Sequence, residues 1–130
     1  RSKNNRLVWG GMIALAQVAK SNPDEVFQYL EEIKRAKETG SVITVDNAVA
    51  ALAWTGSANA RYNKAIFPYL LKHLSSCRPK EVPQHSEKTL PAVHSTNKAD
   101  FIKVLEKRSE DLSASELARV KKVIKRVNHL

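Results

Sequence analysis

The sequence predicts an all-α protein built from antiparallel helix pairs stacked side by side, and three observations carry that expectation. The pairs Ala14-Leu15, Ala51-Leu52 and Thr89-Leu90 recur at intervals of 37 and 38 residues, a period that marks stacked helix pairs. A small residue, Gly11, Ala48 or Ser86, precedes each Leu by four places, one helical turn away on the same face. Apolar residues elsewhere fall at helical spacing and no stretch alternates as a strand does. The clearest copy, Val45 to Trp54, is the stretch the others echo.

The elements follow in order. Arg1 to Asn5 is polar and reads as a frayed end or linker. A first helix should start near Asn4 or Asn5 and run to about Ala19, with Val8, Gly11, Met12, Leu15 and Val18 on one face. A Gly inside a helix costs about 1 kcal/mol relative to Ala, so Gly11 implies a closely approaching neighbour. The second helix opens with Asn22 as cap, Pro23 in the first turn and Glu25 placed to reach back. It carries Val26, Phe27, Leu30 and Ile33 and should end at Gly40 as a left-handed cap. Thr44 is expected to cap the third helix, which buries Val45, Ala48, Val49 and Leu52 and stops at Gly56-Ser57. The fourth begins between Asn59 and Asn63 and ends near Ser76. Pro68 should kink it or mark its first turn. A fifth helix runs from Pro83 to about His94, bent or ended by Pro91. A sixth, capped by Thr96 or Asn97, carries Phe101, Ile102, Val104 and Leu105 and ends near Asp111. Ser113 and Glu116 form a capping box for the seventh, with Leu117, Val120, Ile124 and Val127 inward.

Composition narrows the function classes. Hydrophobic residues make up 42% and aromatics 6%, which fits an aliphatic helical core. No apolar run reaches the ~18 residues of a membrane span, and no signal-peptide pattern opens the chain. The single cysteine, Cys77, excludes an internal disulfide and suits a reducing, cytoplasmic setting. The net charge of +9 is concentrated at the ends. Residues 1–19 hold three basic and no acidic residues, and residues 98–130 hold nine basic and five acidic. Such a balance favours acidic partners, protein or nucleic acid, or serves solubility alone.

The pattern resembles the HEAT-like α-helical repeat family over nearly the whole chain, and is similar to bacterial HEAT-repeat proteins. The residues that carry the resemblance are Leu7, Gly11 and Ala14-Leu15, then Thr44, Ala48 and Ala51-Leu52, then Val82, Ser86 and Thr89-Leu90. Pro68 in an outer helix is also similar to the family. The chain departs from it where the family often places Arg second in the inner helix: Val8, Val45 and Pro83 stand there. The resemblance implies a right-handed α-α superhelix of about three helix pairs, seven helices in all, in one array over residues 1–130. The first helix is of the inner type and lacks an outer partner. That partner belongs upstream of Arg1 or to a second copy, so self-association is one expectation.

The resemblance also implies where such an array binds: on the concave face lined by inner helices. Superimposing the copies puts Trp9, Asp46 and Gln84 at one position and Gly10, Asn47 and His85 at the next. Ile13, Ala50 and Lys88 share a third, and Gln17, Trp54 and Ala92 a fourth. All fall off the apolar stripe. With Arg6, they make the candidate binding set Arg6, Trp9, Ile13, Gln17, Asp46, Asn47, Trp54, Gln84, His85 and Lys88, for a protein partner. The competing reading packs both Trp rings between neighbouring repeats. A nucleic-acid alternative uses the basic ends: Arg1, Lys3, Arg6, Arg119, Lys121, Lys122, Lys125 and Arg126.

No motif carries a reaction, so no enzyme activity and no cofactor are expected. His73, His85, His94 and His129 lack a metal-site spacing, and surface or capping roles suit them; no metal is expected. Cys77 reads as a small buried hydrophobe, and Glu31-Glu32 as a solvated helix face. One enzyme precedent remains. Some DNA glycosylases that remove alkylated bases are built from similar repeats and use Trp, Asp and Arg, roles that would fall to Trp9, Trp54, Asp46 and Arg6. No family motif aligns with those positions.

Overall fold

A computed structural model describes residues 11–40 and 42–130. Among these residues there are eight α-helices, three short 3-10 turns and no strand. The helices are α1 (Gly11–Ser21), α2 (Pro23–Phe27), α3 (Leu30–Thr39), α4 (Val42–Gly56), α5 (Ala60–Ser76), α6 (Val82–Thr89), α7 (Lys98–Arg108) and α8 (Ala114–Asn128). No helix in this region is long and apolar enough to cross a membrane.

Helix ends fall where local chemistry dictates. The Glu25 N–H donates to Asn22 Oδ1 at 3.4 Å ahead of Pro23, and the Tyr62 N–H donates to Asn59 Oδ1 at 2.9 Å. Ser113 and Glu116 complete the reciprocal capping box, with bonds of 3.3 and 2.9 Å. The start predicted for the first helix, near Asn4 or Asn5, lies outside the described residues.

Three local expectations change. The second predicted helix is two, because a tight turn at Gln28-Tyr29 separates α2 from α3; the Tyr29 N–H donates to Val26 O at 3.0 Å. The break accompanies the docking of α2 on α5. Phe27 stacks on Tyr62 with ring centroids 4.0 Å apart, and the Tyr62 hydroxyl donates to Asp24. Gly40 is extended (φ −88°, ψ 171°), not left-handed. Space, rather than φ, calls for glycine there: a Cβ would lie 2.5 Å from Thr44 Cγ2 and 2.6 Å from Ala36 O. The helix that Thr44 was expected to cap already begins at Val42. Pro68 sits in the middle of α5 on its exposed side, where solvent can reach the carbonyl left without an N–H partner.

The centre of the molecule is α4, which packs against α1, α2, α3, α5 and α6. A helix surrounded on so many sides must be apolar nearly all round and small where neighbours come close. Ala48, Val49, Ala51, Leu52 and Ala53 are accordingly fully buried. Helix α6 lies along α4 and also meets α8, while α7 covers α5 and α8. Leu15 and Leu52 are buried in the same cluster, and Leu90 packs against it half-buried. The enclosed hydroxyls cost little because each bonds its own helix: Thr55 to Ala51 O, Ser86 to Pro83 O and Thr89 to His85 O, all at 2.8 Å.

Candidate functional site: the Trp54 cleft and a buried histidine chain

Two features stand out once the helices are assembled. The first is a cleft of about 350 Å³ between the ends of α4, α6 and α8. Trp54, Leu90, Pro91, Val93, Val127 and Leu130 line it, with Glu87 and Arg126 at its polar edge. Trp54 is half-buried, and Lys20 Nζ lies 4.7 Å from its ring centroid, in cation–π range. The Trp54 ring is therefore neither free in solvent nor sealed in the core. Glu87 is clamped by Arg119, which donates to its two oxygens at 2.6 and 3.1 Å.

The second feature is a chain of polar side chains through the interface of α3, α5, α6 and α4. Lys37 Nζ lies 3.1 Å from His73 Nδ1, His73 Nε2 lies 2.8 Å from His85 Nδ1, and His85 Nε2 lies 2.5 Å from Asp46 Oδ1. The ends set the direction. Lysine ammonium has only protons to give and a carboxylate only lone pairs to accept. Each link then has one donor: Lys37 to His73, His73 Nε2–H to His85, and His85 Nε2–H to Asp46. Asp46 Oδ2 accepts from Gln84 Nε2 at 2.9 Å. Lys37 is buried to 9% exposure, and its charge is met by Glu38 at 3.2 Å and by the Tyr69 ring at 5.1 Å. The Tyr69 hydroxyl donates to Glu38 Oε2 at 2.6 Å. That bond and the Lys37 ammonium hold the Glu38 carboxyl below its usual range, and burial with Glu38 pushes the Tyr69 phenol up.

Burial pulls His73 down to about 4, with help from the Lys37 ammonium and His85; Glu81 and Glu38 oppose them weakly. His73 is thus neutral at pH 7, as the donor pattern requires. A base with a depressed folded-state pKa stabilises the fold above its unfolded value of 6.5 and loses that contribution as pH falls through about 4. Stability should be level above pH 6.5 and fall between 6.5 and 4. About 2 kcal/mol of that fall belongs to His73, after allowance for the solvent-facing part of the ring. Urea midpoints at pH 7 and pH 4.5 check this, since His73→Gln should flatten the difference by that amount.

The residues singled out in the sequence divide as follows. Arg1, Lys3, Arg6 and Trp9 lie outside the described residues, and Ile13 is placed only as part of α1. Asp46, Gln84 and His85, drawn from α4 and α6, come together in one hydrogen-bonded group. His85 departs from the expectation in being fully buried. Both ring nitrogens are satisfied, which removes the usual cost of enclosing an imidazole. Asn47 and Lys88 are half-buried and Gln17 is exposed, none of them in the cleft. On α8, Arg119, Lys121, Lys122, Lys125 and Arg126 are all exposed, and only Arg126 reaches the cleft.

The expectation of surface or capping roles fails for His73 and His85, which are interior partners of each other. Cys77 is half-buried, and one donor atom each from His73, Cys77 and His85 lies within 4.8 Å of the other two. The available sequence signal was the i,i+4 spacing of His73 and Cys77, which places the cysteine one turn on, at the C-cap of α5. Burial pushes the Cys77 thiol up, against the pull of the neighbouring Arg108 guanidinium. A cleft of about 300 Å³ opens over this group, lined in part by Lys37, Glu38, His73, Cys77 and Glu81. A wider one, about 530 Å³, lies beside Arg61, Lys64 and His94, and its buried Asn63 is already bonded to Gly56 O and Ala92 O. No protein-family model, curated protein or solved structure matches the chain.

Proposed function

We propose that the chain is a non-catalytic binding module of the HEAT-like kind, a right-handed α-α superhelix that takes a segment of a partner protein along α1, α4 and α6. The observation that carries this reading is the Trp54 cleft. An indole half out of the core, beside Leu90, Pro91, Val93, Val127 and an exposed Leu130, offers a concave apolar socket. Sockets of that kind anchor large side chains of a partner. The edge fits an acidic segment: Lys20 stands over the indole, and Arg126 lines the cleft and is exposed. The buried small residues Ala48 and Ser86, at corresponding positions of two copies, support the stacked-pair reading.

A second reading has its own support in the basic face of α8, which suits phosphate backbones. One experiment separates the two. The protein is used to select from a random peptide library, and is titrated in parallel with single- and double-stranded DNA. The first reading expects peptides that combine acidic residues with an aromatic or aliphatic anchor. Their binding should fall by about 2 kcal/mol or more in Trp54→Ala, with helicity unchanged. No enrichment of such peptides sinks it. DNA affinity that survives Trp54→Ala and drops by roughly 10³ between 50 and 200 mM salt would put the second in its place.

A further inference from the structure

We propose that His73, Cys77 and His85 form a binding site for a late first-row divalent cation, with Zn²⁺ the best match, open on its fourth side to the cleft above α3 and α5. This site is separate from the Trp54 cleft and does not depend on the binding-module reading. Its first support is geometric. His73 lies in the last turn of α5 and Cys77 caps that helix end, its N–H donating to His73 O at 2.8 Å, while His85 stands opposite on α6. The three donor atoms lie within 4.8 Å of one another, and the two nitrogens are 2.8 Å apart. Tetrahedral zinc, with bonds of about 2.0 Å to nitrogen and 2.3 Å to sulfur, separates such nitrogens by about 3.3 Å and nitrogen from sulfur by about 3.6 Å. The nitrogens need to part by about half an ångström and the sulfur to close in by at most about 1.2 Å. Two imidazoles and a thiolate are a donor set that Zn²⁺ and Co²⁺ accept and hard cations do not.

The second support lies behind the donors. The His85 Nε2–H is committed to Asp46 Oδ1, and Asp46 is held in turn by Gln84. This fixes the His85 tautomer with the Nδ1 lone pair aimed at His73 Nε2. A carboxylate behind an imidazole is the usual support of a metal-binding histidine. Because His85 is fully buried, the ring has no room to turn away.

Without metal, the His73 Nε2 proton fills the space between the two rings. Loading moves that proton to His73 Nδ1 and expels one proton from the Cys77 thiol to solvent. The Lys37 ammonium then loses its acceptor on His73 and rests on Glu38 alone, already 3.2 Å away. Lys37 is therefore a built-in competitor of the cation. Removing it should tighten the site, whereas a merely structural lysine would leave metal affinity unmoved.

The test is a titration of the full chain with Co²⁺, read by absorbance. One equivalent should produce visible bands of tetrahedral cobalt and a near-ultraviolet thiolate-to-cobalt charge-transfer band, both bleached by Zn²⁺. Cys77→Ser should lose the charge-transfer band. Asp46→Asn should weaken binding about 10- to 100-fold. Lys37→Met should tighten it by about tenfold, the worth of one charged hydrogen bond that loading no longer breaks. Circular dichroism checks that each variant keeps its helices. The proposal is overturned if neither the wild-type chain nor Lys37→Met develops a charge-transfer band at several-fold excess of Co²⁺. It is equally overturned if the band forms but His73→Gln and Asp46→Asn leave its affinity unchanged, for Cys77 would then bind without the two rings.

Discussion

Leu52→Ala is expected to lower stability by about 3 to 4 kcal/mol, near the upper part of the range for a leucine emptied from a close-packed interior. Leu52 is wholly enclosed on α4, the helix that five others contact. Part of the loss is the transfer term for the deleted carbons. The rest depends on how far the surroundings can close over the void. Here they have little to offer, because the neighbouring buried positions on α4 are Ala48, Val49, Ala51 and Ala53. These residues are short and have no flexible arm to swing inward. Urea unfolding followed by circular dichroism measures the effect. Leu130→Ala, at a residue 52% exposed, should change stability by less than about 0.5 kcal/mol in the same assay. A loss under about 1.5 kcal/mol for Leu52→Ala would mean that α4 is not the close-packed centre of the molecule.

That centre was legible because its signal is repetitive. Leu15 and Leu52, a fixed interval apart, both enter the core, and Ala48 and Ser86 are both buried at the columns of small residues. Helix ends at Asn22-Pro23, Asn59 and Ser113 were legible for a different reason: a cap is a contact between residues three apart. The break at Gln28-Tyr29 was not, because it depends on Phe27 meeting Tyr62, and Gly40 was misread because what it avoids is Thr44 across a turn. The histidine chain was hidden more deeply. Its links join residues 36, 12 and 39 positions apart. In each copy of the helical pattern, Asp46 and His85 look like outward polar residues. Enclosure of His85 depends on the bonds to Asp46 and His73 together. Periodicity places a residue on a face, but it does not say which polar residue on the next helix stands opposite. For Trp54 the pattern named a position off the apolar stripe, and the cleft beside it is made with Val93, Val127 and Leu130, which stand far from it along the chain.

Arg108→Met should cost about 2 to 4 kcal/mol, although it replaces a cation with an apolar side chain of similar reach at a site only 8% exposed. The reason is what the guanidinium holds. Its Nη1 donates to Leu74 O at 2.7 Å and its Nη2 to Cys77 O at 2.6 Å, while Nε meets Asp111 at 3.1 Å. Leu74 O is among the last carbonyls of α5, which have no N–H of their own helix to accept, and the negative end of the helix dipole favours a cation there. Methionine would keep the packing but leave Cys77 O without the guanidinium and Leu74 O with only the weak Cys77 thiol at 3.8 Å. Arg108→Lys should recover less than half of the loss, since one ammonium on a flexible stem does not span two acceptors as the planar fork does. Asp111→Ala should cost under about 1 kcal/mol, because that carboxylate is 53% exposed and its pairing is screened. The same variant reaches into the histidine and cysteine group. The Arg108 guanidinium is the charge that opposes the upward push of burial on the Cys77 thiol. Removing it should raise the thiol pKa further and slow alkylation of Cys77 at pH 8 under conditions where the variant is still folded. Faster alkylation in the folded variant would show that Arg108 shields the sulfur more than it polarises it, and that the end of α5 opens once its carbonyls are released.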